Sequence, residues 1–327
     1  MTSVTSVAAV SAVAVQAQHL TRDGSSAVIA RPILKTAGGK GRLLDEIIPR
    51  VPQTFQRYIE PFFGGGAVLF ALVSGERNAR MLEPGSSERD GGLDPRDVII
   101  GDANDDLIST YLAIATDCER VIAMLADHAI AHGEDEHLHY YAVRALYNDR
   151  AAMTHPTARA AAYLYLNHTC WNGLHRVNRK GHFNVPIGNY KDPRICDADG
   201  LRAASRVLSA ALSGHPFLST DYKIVCSLAQ SGDFVYLDPP YDGTFTSYTV
   251  SPFGQAQQRE LASIARGLVT NGVQVMLSNA DTSLVRDLYP EDHWRIQAIS
   301  RPGTINSKAN GRGAVAELLI MGGYDAA

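Results

Sequence analysis

The chain of 327 residues predicts an α/β protein built on an open, largely parallel sheet. Three observations predict it. Short apolar runs end in glycine, proline or aspartate; each is followed by a stretch with helical apolar spacing; and the two patterns alternate along most of the sequence. With 45% hydrophobic and 20% charged residues, the composition is that of a soluble globular chain, long enough for a large core plus a smaller lobe.

The opening MTSVTSVAAVSAVAVQAQ carries an Ala/Val run, but no basic residue precedes it and it is only weakly apolar, which argues against a secretion signal. Residues 1–30 are expected to form a flexible extension. RPILKTAGGKGRLLDEIIPRVP then sets a glycine-rich turn before a helical segment with Leu43, Leu44, Ile47 and Ile48 on one face. FQRYIEPFFGGGAVLFALV reads as strand, tight glycine turn and helix, and the polar MLEPGSSERDGGLDPRD as an exposed insertion. VIIGDANDDLISTYLAI gives a second strand ending at Asp102 and a helix starting near Asn104, where Asp105 and Asp106 suit the role of caps. From about Asp117 to Ala162 the pattern is mainly helical and begins a separate lobe. HPFLSTDY and DFVYLDPPY are expected to be two more core strands separated by a short helix. GQAQQRELASIARGLVTNG reads as a helix, VQVMLSN as a strand, and WRIQAIS with AVAELLIMGG as a closing hairpin.

A net charge of −4 and an isoelectric point near 6.2 do not advertise a polyanion partner, so any nucleic-acid surface must be a local patch. Residues 163–191 provide one: they contain no acidic residue and carry Arg176, Arg179, Lys180 and Lys191 among aromatic and turn residues. Cys118, Cys170, Cys196 and Cys226 stand far apart with no C-x-x-C spacing, which predicts free thiols and a reducing, cytoplasmic setting. No apolar stretch approaches the roughly 20 residues that cross a bilayer. His132, His137 and His139 in AHGEDEHLH lack a closed ligand set, so an exposed helix or loop without metal is expected.

Chemistry concentrates at strand ends. In EPFFGGGAV, glycines directly after a strand let backbone approach a ligand at a helix N-terminus; dinucleotides, nucleosides and methionine-bearing ligands all use such turns. Asp102, at the end of the next strand, can accept from both hydroxyls of a ribose. AGGKG lacks the G-x-x-x-x-G-K-[ST] spacing, which excludes a nucleoside triphosphatase. DFVYLDPPYDG is more specific. The exocyclic amine of a base is a poor nucleophile because its lone pair is delocalised, and activating it needs preorganised acceptors for both hydrogens. Asp238 can supply one and the carbonyl of Pro239 the other, with Pro239 and Pro240 restricting the backbone and Tyr241 available to stack on a ring. Such a base is out of reach inside a duplex and must be extruded.

LKTAGGK, IEPFFGGGAV, GDANDDL, NHTCWNGLHRVNRKGHFNVPIGNY and VYLDPPY, in that order, resemble the Dam-type family of S-adenosylmethionine-dependent DNA adenine-N6 methyltransferases over roughly residues 31–324. The resemblance implies a doubly wound, Rossmann-like methyltransferase sheet with an inserted helical and hairpin target-recognition domain. It divides the chain into a cofactor-binding catalytic domain, 31–116 and 215–327, and a DNA target-recognition domain, 117–214. It implies that Lys40, Phe63, Gly64, Gly65 and Gly66, with Thr36, Glu60 and Pro61 beside them, line the methionine side of S-adenosyl-L-methionine, and that Asp102 holds its ribose. Asp238 then serves both catalysis and the cofactor's amino end, and Tyr241 stacks on adenine. Thr36 stands where the family often has Trp, and Gly65 adds a glycine to the usual turn.

By the same resemblance the acid-free stretch is the DNA-reading hairpin, carried by Trp171, Asn172, Gly173, Leu174, Arg176, Asn178, Phe183, Asn184, Pro186 and Tyr190. Arg176 is expected to read guanine, and Leu174 and Pro186 to touch thymine methyls. Arg179, Lys180 and Lys191 would position phosphates. RPGTINSKANGRG resembles a second DNA-contacting segment, with Lys308 and Arg312 on the backbone. The implied reaction is direct methyl transfer to N6 of a flipped adenine in double-stranded DNA, within GATC as the family's common target. A companion restriction endonuclease acting on the same site is a further implied partner. An RNA adenine methyltransferase and a catalytically silent DNA-binding protein stay open beside it, with a nicotinamide-dependent dehydrogenase as a more distant reading.

Overall fold

The computed structural model describes residues 29–36, 38–74, 93–243, 253–301 and 315–325. Nearly all of the expected N-terminal extension, most of the polar insertion, and Lys308 and Arg312 lie outside the described residues. Seven strands, β1 (Tyr58–Glu60), β2 (Val98–Asp102), β3 (Leu218–Ser219), β4 (Phe234–Leu237), β5 (Gln274–Ala280), β6 (Arg295–Arg301) and β7 (Val315–Gly322), form one sheet in the order β3-β2-β1-β4-β5-β7-β6. The pairs from β3 to β5 are parallel, and β7 runs antiparallel to both β5 and β6.

The continuous apolar runs follow from burial on both faces. Along β4, Phe234 and Tyr236 point to one core while Val235 and Leu237 point to the other; along β5, Met276 faces the first and Val275 and Leu277 the second. A strand that alternates between two buried faces needs apolar residues at every position. Helices α7 (Tyr222–Cys226), α8 (Gln255–Thr270) and α9 (Ser283–Leu288) cover the second face. The first is covered by α1 (Leu44–Ile47), α2 (Ala67–Val73) and a helical lobe of α3 (Asp105–Glu134), α4 (Glu136–Asn148), α5 (Pro156–Thr169) and α6 (Ala198–Gly214). Lobe and sheet share one apolar core: Tyr140, Tyr165 and Phe183 belong to the same cluster as Tyr58 and Phe234. Helical geometry lapses once inside α3, at Asp117.

Three expectations need correction. HPFLSTDY contributes only the two-residue edge strand β3, half-buried to exposed, because its one neighbour among the described residues is β2. At the start of α3, Asn104 is the cap, its Oδ1 accepting from Leu107 N. Asp106 instead joins three helices. Arg159 of α5 forks onto it through Nε (2.8 Å) and Nη2 (3.0 Å), and the Tyr147 hydroxyl of α4 donates to it at 2.6 Å. The histidines are not an exposed set either: His132 is buried against the Tyr165 hydroxyl, and His139 is half-buried at 3.0 Å from a ring nitrogen of His128, because α4 folds back on α3. The four cysteines are unpaired. No helix among the described residues is long and apolar enough to cross a membrane.

Burial pushes the Asp106 carboxyl up, but the hydrogen bonds from Arg159 and Tyr147 and the nearby Arg150 charge outweigh it and hold the group below its ordinary value. The stabilisation is therefore complete above the unfolded carboxyl's pKa of about 3.9 and is lost as pH falls through the lower folded value. Arg159→Ala should lower unfolding free energy by about 3 kcal/mol in urea titrations near neutral pH, since it strips a largely covered carboxylate, 11% exposed, of its main partner. The exposed partner Arg150, 3.2 Å from the same oxygen, should cost less than about 1 kcal/mol when replaced by Ala.

Candidate active site

The order of the sheet reverses between β1 and β4: β2 and β3 extend to one side, β5 and β7 to the other. In open α/β sheets ligands bind outside the carboxyl ends of the strands at this reversal. Here those ends are Glu60-Pro61-Phe62-Phe63 after β1 and Asp238-Pro239-Pro240-Tyr241 after β4. β4 stops where it does because two successive prolines have no N–H to continue a ladder.

The glycine turn after β1 is fixed by Asp102. Its Oδ2 accepts from Gly64 N (3.0 Å) and its Oδ1 from Asn104 N (2.9 Å), so the carboxylate joins the turn to the end of β2. Burial raises its pKa, and the three backbone N–H groups on it only partly offset that. Gly64 and Gly66 lie at φ 47° and 65°, a region that favours glycine, and a Cβ on Gly66 would run into the Phe63 ring. Thr36 packs over this turn: a Cβ on Gly65 would meet Thr36 Oγ1 at 3.0 Å. The extra glycine thus accommodates the segment that carries Thr36.

Lys40 brings the two strand ends together. Its Nζ is 2.7 Å from Asp238 Oδ1, donates to Gly38 O at 2.9 Å and lies 4.9 Å from the centre of the Tyr241 ring. Only 4% of Lys40 is exposed, so the ammonium is held by protein groups rather than water. Beneath it, Glu60 is buried and accepts from the Tyr58 hydroxyl at 2.8 Å; burial drives its carboxyl well above the usual range. The Tyr241 hydroxyl donates to Glu317 Oε2 of β7 at 2.7 Å. Burial, then the Asp238 charge, hold this phenol well above its ordinary pKa, so it remains a donor at neutral pH.

The acid-free stretch forms a separate surface on the lobe. It is a loose hairpin with only two isolated antiparallel bridges, Cys170 to Ile187 and Val177 to Phe183, and its tip is closed by Asn178 Oδ1 accepting from Lys180 N and His182 N. Helix α4 holds its return arm: Asn148 bonds both N and O of Phe183, and Tyr140 and Arg144 both donate to Val185 O. Phe183 and Val185 face inward, so Asn184 and Pro186 face out. Trp171, Asn172, Arg176, Asn178, Arg179, Lys180, Pro186 and Lys191 are exposed; Leu174 and Tyr190 are half-buried. Arg176 Nε donates to Asn184 Oδ1 at 2.8 Å, which steers the guanidinium along the outer face.

The model of the D12 class N6 adenine-specific DNA methyltransferases matches residues 37–301, which takes in both strand ends and the hairpin. The chain belongs to this family. It is 35% identical to the Type II methyltransferase M.MjaIII of Methanocaldococcus jannaschii, covering 89% of this chain and 98% of that protein. It is 33% identical to the Type II methyltransferase M1.LlaDCHI of Lactococcus lactis subsp. cremoris (89% and 94% covered) and 32% identical to a DNA adenine methylase of Haemophilus influenzae (90% and 94%). As a D12-class enzyme it transfers methyl from S-adenosylmethionine to adenine N6 in duplex DNA. The RNA methyltransferase, silent-scaffold and dehydrogenase readings give way to that assignment.

Sequence reasoning missed Glu317, Gln258 and Asn279, which hold the turn after β4. An acid inside AVAELLIM and a polar pair inside VMLSNA, each interrupting an apolar strand, were the available signals for Glu317 and Asn279; Gln258, in a polar helical run, had none. Glu317→Gln keeps an acceptor for Tyr241 and should retain most of the methylation rate, whereas Glu317→Leu should lose about tenfold in kcat/KM for DNA, the equivalent of one hydrogen bond, in steady-state assays on a short duplex.

Proposed function

We propose that the corner of Lys40, Asp238 and Tyr241 is where an adenine swung out of the duplex is methylated, and that the lobe hairpin selects its sequence. The observation that carries this reading is the Lys40–Asp238 contact, which joins the glycine-turn side of the sheet to the end of β4 at the topological reversal. Asp238 and the Pro239 carbonyl accept the two N6 hydrogens and draw the lone pair out of conjugation. A carboxylate has about four lone-pair sites, so Asp238 holds Lys40 and an amine together. The carbonyl of Pro240 is held by Gln258 at 2.9 Å, and that of Pro239, next to Asp238, receives the second N6 hydrogen. Tyr241, steadied through its hydroxyl, presents a ring face to the base. The proton that N6 sheds passes to the Asp238 oxygen that held it.

The chain's own groups fit S-adenosylmethionine. A zwitterionic amino-acid end suits the Lys40 and Asp238 pair, ribose hydroxyls suit Asp102, and the turn from Gly64 to Gly66 permits close backbone approach, with Thr36, Glu60, Pro61 and Phe63 around it. When bound, the cofactor supplies a methyl group on a positively charged sulfur, an excellent leaving group. Alignment is the protein's contribution.

On the lobe, Arg176 pairs with guanine in the major groove, and Leu174 and Pro186 touch thymine methyls. Trp171, Asn172, Asn178 and Tyr190 complete the contact face, while Arg179, Lys180 and Lys191 grip phosphates. GATC is the target the family resemblance implies, and a companion endonuclease reading that site is the partner it implies.

Asp238→Ala should abolish methylation while circular dichroism and thermal melting report a folded protein; near-normal turnover would overturn the mechanism. Arg176→Ala should change which sites in a plasmid are methylated, read by sequencing modified adenine. Lys180→Ala should weaken all duplexes alike and reduce the salt slope of binding by about one phosphate contact. Equal, sequence-independent losses for both would remove Arg176 from base reading.

A further inference from the structure

We infer that Asn279 and Gln258 form a positioning relay for the methyl-transfer step, in which two fixed side-chain amides set the carbonyl of Pro240 and so aim Asp238, Pro239 and Tyr241 at the target amine. Both side chains are buried, at 0% and 1% exposure, and belong to different elements, β5 and α8.

The direction of the relay follows from which atoms can donate. Asn279 Oδ1 receives two backbone N–H groups, from Asp242 at 3.1 Å and Ala280 at 2.8 Å. Backbone N–H groups cannot accept, so the oxygen of Asn279 must face them and its NH2 must face the other way. There Nδ2 donates to Gln258 Oε1 at 3.0 Å. With its oxygen taken, Gln258 can only turn its NH2 to the turn, where Nε2 donates to Pro240 O at 2.9 Å. The chain of bonds thus has one allowed polarity, set by two main-chain hydrogens and delivered to the middle of the Asp238–Tyr241 turn.

Two further bonds make the same turn rigid: Thr282 Oγ1 donates to Asp242 Oδ2 at 2.8 Å, and Glu317, paired with Ala280 across the β5–β7 ladder, holds the Tyr241 hydroxyl. Proline has no N–H, so the turn cannot fix Pro239 and Pro240 by donating from its own backbone. A donor reaching in to the Pro240 carbonyl substitutes for that missing tether. Neither amide contacts the amine in this scheme; they act through the turn, and the inference rests on the reading of Asp238 and Pro239 as the amine's acceptors.

The test uses the full-length enzyme in single-turnover methylation of a short duplex, with cofactor affinity by calorimetry and DNA affinity by fluorescence anisotropy. Gln258→Glu keeps the shape but at high pH turns an acceptor toward the Pro240 carbonyl. Its rate at pH 8.5 should fall about 10- to 100-fold, as for other residues that orient a reacting group, with both dissociation constants within about threefold of wild type. Burial raises a glutamate's pKa, so the variant should recover as pH is lowered toward 6 and the introduced carboxyl, now protonated, donates again. Asp238, Tyr241, Asp242 and Glu317 are the ionisable groups on the turn and its supporting strand, and they are common to both proteins, so the recovery is read relative to wild type. Gln258→Met, which has no donor at any pH, should show the loss without the recovery, and covers the case in which the glutamate variant fails to fold. A Gln258→Met enzyme with wild-type single-turnover rate overturns the relay, as does a Gln258→Glu rate that tracks wild type from pH 6 to 8.5. Weakened cofactor and DNA binding in proportion to the rate also overturns it, in favour of a structural role. If Asp238→Ala is inactive while both Gln258 variants are normal, the relay fails and the active corner stands; an active Asp238→Ala removes the corner itself.

Discussion

A lysine that is almost fully withdrawn from water must find a negative partner, and Lys40 finds it in Asp238. That requirement links segments that the sequence keeps about 200 positions apart. It presses the loop from Gly38 to Lys40 onto the end of β4, and through Thr36 the same segment packs over the glycine turn after β1. The Asp238 charge raises the pKa of Glu60, Tyr236 and Tyr241 around it, so the reversal of the sheet gathers groups that resist further negative charge. The ammonium sets a positive charge 2.7 Å from the Asp238 carboxylate and offsets part of that crowding.

The sheet makes this corner possible by being buried on both faces, so that polar groups gather at its strand ends. The lobe is not hung from it by a linker. Asn167 at the end of α5 both accepts from Lys35 N and donates to Lys35 O, each at 2.8 Å, and also donates to Gly173 O at the base of the hairpin. His168 reaches Ile33 O at 2.9 Å. The irregular segment from Ile33 to Thr36 therefore lies between the hairpin and the glycine turn, bonded to the end of α5 at the hairpin's base and packed on the turn. Through this segment the base of the hairpin and the glycine turn after β1 are joined directly.

Much of this could be read from the residues. Proline and glycine punctuation located β1, β2, β4 and the turns after them, because φ restriction and the missing N–H act locally. The acid-free, basic and aromatic stretch located the hairpin, because charge composition is visible without a fold. HPFLSTDY misled because its apolar residues pack at an edge, and whether a strand is an edge depends on neighbours that no local pattern records. Asp106 misled for the same reason: a carboxylate in the first turn of a helix looks like a cap, and its true partners, Arg159 and Tyr147, come from helices that begin later in the chain. Gln258, Asn279 and Glu317 were hidden more deeply. Asn279 and Glu317 reach the turn from neighbouring strands, where a single polar residue in an apolar run signals only that some partner exists, and Gln258 reaches it from a helix whose local sequence is polar anyway.

The corner is expensive to fold. Lys40, Asp238, Glu60, Glu317 and Tyr241 bring ionisable groups into a region of low water content, where each hydrogen bond roughly offsets the cost of desolvation and a hydrophobic replacement of similar volume would be as stable or more so. Stability must come from elsewhere, and the two apolar cores on either side of the sheet, together with the Asp106 network in the lobe, are where it is found. This division explains why the groups around Asp238 are tethered so redundantly. In water-poor surroundings a carboxylate with a fixed orientation lowers the barrier for the charge that develops on the amine, while a mobile one reorganises and loses that advantage. Polar groups that add little to stability are kept in fixed directions, and it is the direction that the methyl transfer uses.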